Sequence, residues 1–116
     1  MSVSYEEIGH LSVTFPASGC TGGHVCKMGT DGKVTACSDG DAFCGVVESL
    51  FRASAQTNAG VQLHGFVEVP YTGTAPVCGY VGLSADGTGG VKADSAGKSY
   101  LVAAVSAAKQ TVTFEL

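Results

Sequence analysis

The feature that most constrains this chain is a run of short apolar segments broken by glycine turns, and the run occurs twice. Residues 23–48 read Gly-His-Val-Cys-Lys-Met-Gly-Thr-Asp-Gly-Lys-Val-Thr-Ala-Cys-Ser-Asp-Gly-Asp-Ala-Phe-Cys-Gly-Val-Val-Glu. The spacing predicts a strand over 24–28, a turn at 29–32, a second strand over 33–37, a turn at 38–41 and a longer apolar strand opening at Phe43. Asp31-Gly32 suits a tight hairpin because glycine accepts the positive φ that such turns demand. The plan then returns. Gly79-Tyr80-Val81 answers Gly23-His24-Val25, Gly89-Gly90-Val91 answers Asp31-Gly32-Lys33-Val34, Ser95-Ala96-Gly97 answers Ser38-Asp39-Gly40, and residues 100–105 answer 43–47. A period of roughly 56 residues is too long for a solenoid repeat, and two copies are too few for an array. It predicts one pseudo-symmetric barrel made by weak internal duplication.

Outside the repeat, Leu11, Val13 and Phe15 alternate on one face of a strand that Pro16 is expected to end. Residues 43–53 mix both faces, Val47 with Phe51 and Val46 with Leu50, as a strand covered on both sides or bent at Gly45 would. Residues 54–60 read as a polar loop turning at Asn58-Ala59-Gly60. Residues 60–71 read as one strand with Val61, Leu63, Val67, Val69 and Tyr71 on one face, Gln62, His64 and Glu68 on the other, and a bulge or barrel corner at Gly65. Val112, Phe114 and Leu116 share a face of the closing strand. With 17 glycines in 116 residues, against an average near ~7%, and only 14% charged residues, the fold class is all-β: a small barrel or sandwich of eight to nine short strands. Residues 1–18 are expected to form an N-terminal arm or edge strand, and residues 19–116 a single β-barrel domain.

The net charge of −4 and only six Lys and Arg argue against binding nucleic acid through phosphate contacts, or an anionic membrane surface. No apolar run approaches the ~20 residues of a membrane span. Residues 1–15 lack a basic n-region and carry Glu6-Glu7, so they do not read as a signal peptide. Synthesis in a reducing cytoplasm follows as the expectation. There Cys20, Cys26, Cys37, Cys44 and Cys78 read as small core hydrophobes rather than a disulfide framework.

Catalytic signatures are sparse. No Gly-x-Ser-x-Gly elbow occurs. Gly97-Lys98-Ser99 looks like the end of a phosphate-binding loop, but Lys92 stands where its first glycine belongs. Asp39-Gly40-Asp41 could begin a calcium loop, yet Ala42 and Phe43 follow instead of oxygen ligands. Lys27-Met28 is similar to the modified-lysine motif of biotinyl and lipoyl carrier domains, but Lys27 precedes the turn instead of sitting at its tip. His10, His24 and His64 are candidate bases and the five cysteines candidate nucleophiles, though no spacing brings one pair together, and His64 reads as an outward-facing surface residue. Cys20, His24, Cys26, Cys37 and Cys44 offer zinc-type ligands without the usual Cys-x-x-Cys knuckle. No catalytic, cofactor-binding or metal residue is assigned, and the chain is expected not to be an enzyme.

The texture of Gly23-His24-Val25, the Asp31-Gly32-Lys33-Val34 turn, the Gly40-Asp41 turn, Gly45-Val46-Val47, the later Gly65-to-Val69 strand and the closing Val112-to-Leu116 strand resembles small all-β proteins of tailed phages and prophages. These are the head-decoration (capsid cement) and head-fibre families. The likeness covers roughly residues 19–116 through short motifs; the extra cysteines are a departure. It implies a structural virion protein at the virion surface. Such a protein would bind and stabilise the capsid exterior as a homo-oligomer, a trimer, with the major capsid protein as partner and residues 1–15 lying over the capsid. No cofactor, nucleic acid or membrane enters this reading. The alternatives are a small ligand-binding or adhesive β module, with no Trp and four Tyr to supply an aromatic platform, and a structural-zinc protein built on Cys20 to Cys44.

Overall fold

The computed structural model describes residues 10–116. Among them there is no helix, and ten strands follow in order: β1 (Leu11–Ser18), β2 (Val25–Met28), β3 (Val34–Ala36), β4 (Gly45–Ala53), β5 (Gln56–His64), β6 (Phe66–Pro70), β7 (Gly79–Ala85), β8 (Val91–Ala93), β9 (Lys98–Ser106) and β10 (Thr111–Glu115). The first five close on themselves in the order β1-β3-β2-β4-β5, with β5 returning to β1. Every neighbour in this ring is antiparallel except β1 and β3, which run parallel at Ala17↔Val34 and Ser18↔Thr35. The last five form a second sheet, β6-β10-β9-β7-β8. Just past β6, Tyr71 meets Val91 of β8 in a parallel bridge.

With β6 taken for β1, and so on to β10 for β5, the two units share one strand order and one parallel contact. Their registers agree as well. Cys26, Lys27 and Met28 face Ala36, Thr35 and Val34, as Leu83, Ser84 and Ala85 face Ala93, Lys92 and Val91. Pro16 faces Asn58 where Pro70 faces Thr111. The repeat read from the glycine turns is therefore present in the fold, with two slips: Leu83 stands for Cys26, so that Gly82 and not Val81 answers Val25, and the later strands slip further. Cys26 opposes Gly45 as Leu83 opposes Lys98, which puts Tyr100 in register with Val47, not Phe43.

Several expected boundaries move, each for a local reason. Gly65 is not a bulge inside one strand. It is the junction between the units, at φ +100 against the His10 backbone, and splitting residues 60–71 there turns nine strands into ten. Gln62, expected to face solvent, is buried; its Nε2 donates to the carbonyls of His64 and Phe66 at 3.0 and 3.2 Å, clamping the junction. Pro16 does not end β1. The strand's partner changes from β5 to β3 immediately after it, and a proline is tolerated where one ladder gives way to another. Residues 56–60 are strand rather than loop, because Ser54 and Ala55 take φ 52° and 63° and close a two-residue hairpin at Ala53↔Gln56. Finally, Val47 faces Val61 but Ser49 faces Gly60, so Glu48 is a bulge residue. The bulge shifts the alternation by one and places Leu50, not Phe51, on the face of Val47.

Two cores result. Ala17, Cys26, Val34, Val47, Ala59 and Val61 fill the first ring. The second core holds Val67, Val69, Tyr71, Leu83, Val91, Val102, Val112 and Phe114, and also Val25, Phe43 and Val46 from the first unit. The starts of β2 and β4, Val25-Cys26 and residues 45–47, are thus covered on both faces. The connection over residues 37–44 is longer than its counterpart over 94–97, and its extra length makes the seam. Phe43 stacks on Tyr100 at 5.1 Å and meets Phe114 edge-on at 5.9 Å. The Gly40 N–H donates to Ala85 O at 2.8 Å and the Ala85 N–H to Asp41 O at 2.9 Å. Lys92 pairs with Asp39 at 2.8 Å. The tip of the β7–β8 hairpin completes the joint: the Val25 N–H donates to Gly89 O at 2.9 Å, and Gly89, at φ +103, lies flat on the His24 ring where a Cβ would collide.

Phe43→Ala is expected to destabilise the chain by about 3–5 kcal/mol while keeping a single unfolding transition, because the backbone bonds of residues 40–41 to Ala85 and of Val25 to Gly89 still join the units. Denaturant melts followed by two independent probes test this; two separated transitions would show that the units unfold independently.

Candidate functional site

Beyond Val47, β4 leaves β2. Its pairs with β2 are Val25↔Val46 and Cys26↔Gly45, extended by backbone bonds between Val47 and Gly23 and His24. The rest of β4, from Glu48 to Ala53, pairs only with β5. The β4–β5 hairpin therefore extends past the ring with one edge unpaired among the described residues. Every β4 residue from Glu48 on is exposed, including Leu50 at 41% and Phe51 at 45%. Those two point to opposite faces. Leu50, Ala59 and Phe15 form one cross-strand row, which adds the half-buried Phe15 and continues toward Val13 and the exposed Leu11. Apolar side chains on both faces of a hairpin with a free edge suit contact with another protein surface, either by side-chain burial or by strand addition.

Glu48 faces back over β1. Its carboxylate accepts a hydrogen bond from Ser12 Oγ and lies 3.3 Å from His10 Nε2, which itself contacts Ser12 Oγ at 2.8 Å. Serine, histidine and carboxylate are the residue types of a hydrolase triad, but a relay needs the carboxylate and the nucleophile on different ring nitrogens. Here both sit on Nε2 in an exposed cluster, so the arrangement anchors the bulge and does not form a proton relay.

The thiols gather elsewhere. Cys26 is fully buried inside the first ring, with Cys44 and Cys20 packed against the same core. The Cys44 N–H donates to Cys26 O at 2.8 Å. A hydrogen bond from the Cys26 thiol brings the Cys44 thiol down to about 7, against the opposing effect of burial; the same bond, then burial, pushes Cys26 up. Burial raises Cys20, whose Sγ donates to Val34 O at 3.3 Å. Burial and the Asp41 charge push Cys37 up to about 11. Cys78 is exposed and apart. No group of three or more His, Cys, Asp or Glu among the described residues is placed to hold a metal ion; the zinc alternative has thiols in proximity but no ligand set.

A cavity of about 380 Å³ opens beside Cys44, between the units. Phe43, Leu63 and Tyr100 supply its apolar wall and His64 and Lys98 its polar groups, with Lys98 Nζ 5.3 Å from the centre of the Tyr100 ring. His64, read as an ordinary surface residue, is exposed but lines this opening. The cavity could not be read from the sequence because its walls come from both units.

The remaining candidates take structural places. Asp39 and Asp41 hold Lys92 and Lys27 instead of presenting free oxygens. Lys27 is half-buried in β2 and not at a turn tip. Lys98 and Ser99 open β9, without the helix that follows a phosphate loop. Compared with protein-family models, curated proteins and solved structures, the chain matches none of them.

Asp41 Oδ2 accepts from Lys27 Nζ at 2.6 Å and from the Ser38 N–H at 2.9 Å, which hold its carboxyl below the usual value while raising Lys27. A carboxylate lowered on folding stabilises above its unfolded value and loses that contribution as pH falls through the folded one. Asp41→Asn is therefore expected to lower the melting temperature at neutral pH, with the difference from the parent shrinking in acid as pH falls from the unfolded carboxyl's value of about 3.9 through the lower folded one. A difference that persisted unchanged there would place the effect outside this ionisation.

Proposed function

We propose that this chain is a structural virion protein that binds the exterior of a tailed-phage or prophage capsid as a homo-oligomer, a trimer, and stabilises it, with the major capsid protein as partner. The observation that carries the reading is the β4–β5 hairpin, whose apolar residues are exposed on both faces and whose outer edge is free among the described residues. A closed ring of subunits covers such a surface by repeating one contact. The resemblance in turn and strand texture supplies the capsid; the mildly acidic, charge-poor composition suits protein contact over contact with nucleic acid. On this reading the barrel makes the oligomer and the N-terminal segment meets the shell. Residues 11–15 are already built into β1, so the arm is confined to residues 1–9, which lie outside the described residues.

A second reading, a ligand-binding module, is favoured by the cavity between the units. It calls for a monomer that binds a small molecule.

Native mass spectrometry of the full chain is expected to give a trimer, and Leu50→Glu with Phe51→Glu a folded monomer with little change in melting temperature. Deleting residues 1–9 is expected to leave the trimer intact but to reduce co-sedimentation with expanded shells of a tailed-phage major capsid protein by tenfold or more. A parent chain that stays monomeric and does not sediment with shells overturns the proposal. Full shell binding after the deletion overturns the role given to the arm.

A further inference from the structure

We propose that Cys44 is a modification site: on the wall of the cavity between the two units, its thiolate exchanges with small anionic organic disulfides that enter there. The argument rests on position. Cys44 is half-exposed and lines the opening, whereas Cys26 is sealed in the first core and Cys78 lies on the surface away from the cavity. Reactive cysteines are partly exposed and have their thiolate stabilised by a neighbour. Cys26 is that neighbour. Its single thiol hydrogen can point to Gly45 O, 3.7 Å away, or to the Cys44 sulfur; a thiolate is the stronger acceptor, so the hydrogen turns to Cys44 once that group ionises.

The surrounding groups fit an anionic reactant. The titratable residues around Cys44 are Cys26 on β2, Cys20 and Cys37 on the flanking loops, His64 on β5, and Lys98 and Tyr100 on β9. Lys98 is the one fixed positive charge among them, and the rings of Phe43 and Tyr100 offer an apolar surface for the rest of the molecule. Cys20 and Cys37 keep their protons, through burial and, for Cys37, the Asp41 charge.

The step balances without a further reactant. The Cys44 proton leaves to solvent, and the thiolate attacks one sulfur of R–S–S–R. The new protein S–S bond forms as the old one breaks, and the electron pair departs on RS⁻. Cys44 is oxidised to the mixed disulfide and the departing half is reduced to its thiolate. Where Cys26 then loses its proton to solvent and attacks the Cys44 sulfur, the Cys26–Cys44 bond forms as the mixed disulfide breaks, a second RS⁻ leaves and an intramolecular disulfide remains. Nothing here depends on the capsid reading.

The test uses the full chain carrying Cys78→Ser, with 5,5′-dithiobis(2-nitrobenzoate) as the anionic disulfide. Expected is one fast phase, mapped by peptide mass to Cys44, releasing one equivalent with a retained adduct, or two equivalents with a Cys26–Cys44 disulfide; both begin at Cys44. Its rate should titrate with a midpoint near pH 7. Cys44→Ser should abolish the phase. Cys26→Ala should move the midpoint toward the ordinary thiol value of about 8.5, and Cys26→Ser, which keeps a donor, should move it less. At pH 7 the thiolate fraction then falls about 16-fold while intrinsic nucleophilicity rises about 4- to 5-fold, a net slowing of about 3-fold. Above about pH 8 the order reverses. Slow labelling of every thiol until the chain unfolds, a fast phase at Cys20 or Cys37, or an unmoved midpoint in folded Cys26→Ala overturns the proposal.

Discussion

The structure depends on one phenyl ring that crosses from one copy of a repeated unit into the other. Each unit alone is a five-stranded sheet with a small core, and the second has no complete parallel seam: one bridge, Tyr71↔Val91, stands where the first unit has a paired segment. Phe43 adds to the second core from outside the unit. It joins Tyr100 and Phe114 in a three-ring cluster, so the second core is sealed by a residue of the first unit. Aromatic rings arranged in this way gain about 0.5–1.5 kcal/mol per pair beyond the area they bury. That gain, added to burial, favours one joined body over two tethered ones.

The polar ties explain why the joint has one geometry. Apolar contact alone would tolerate sliding, but the bonds between residues 40–41 and Ala85, the bond from Val25 to Gly89, and the Lys92–Asp39 pair fix register at separate points. Gly89 lets the second unit's hairpin approach the His24 ring closely. The same longer connection carries Cys44, so the insertion that joins the units also builds a thiol into the wall of the cavity. The surface ion pairs contribute little energy singly; they specify position.

What could be read in advance follows from how local each signal is. The repeat was legible because hairpin turns are written in adjacent residues, such as Asp31-Gly32 and Gly89-Gly90. The all-β class was legible from alternation and glycine content. The hairpin at Ser54-Ala55 was not, since neither residue advertises the positive φ it adopts. The Glu48 bulge leaves no glycine to mark it, and its effect is a change of face for Leu50 and Phe51. Gly65 was recognised as a break but not as the boundary of the repeat, because apolar alternation runs straight across it. Phe43 looked like the first residue of a strand because its partners, Tyr100 and Phe114, are distant in sequence. The proximity of Cys26 and Cys44 was hidden for a related reason: it arises from pairing between β2 and the start of β4.

The β4 edge that is unpaired among the described residues bears on how such a hairpin avoids unwanted strand addition. An unpaired edge carrying Leu and Phe is a template for uncontrolled strand addition. Three features oppose this. The Glu48 bulge, anchored to Ser12 and His10, interrupts the edge at its root, and bulges increase local twist. Arg52, whose guanidinium donates to Ala55 O at 3.3 Å, places a charge near the tip. The opposite charges of Glu48 and Arg52 also bracket the apolar pair. A flat, uncharged strand would accept many neighbours; a bulged edge bearing both signs accepts fewer.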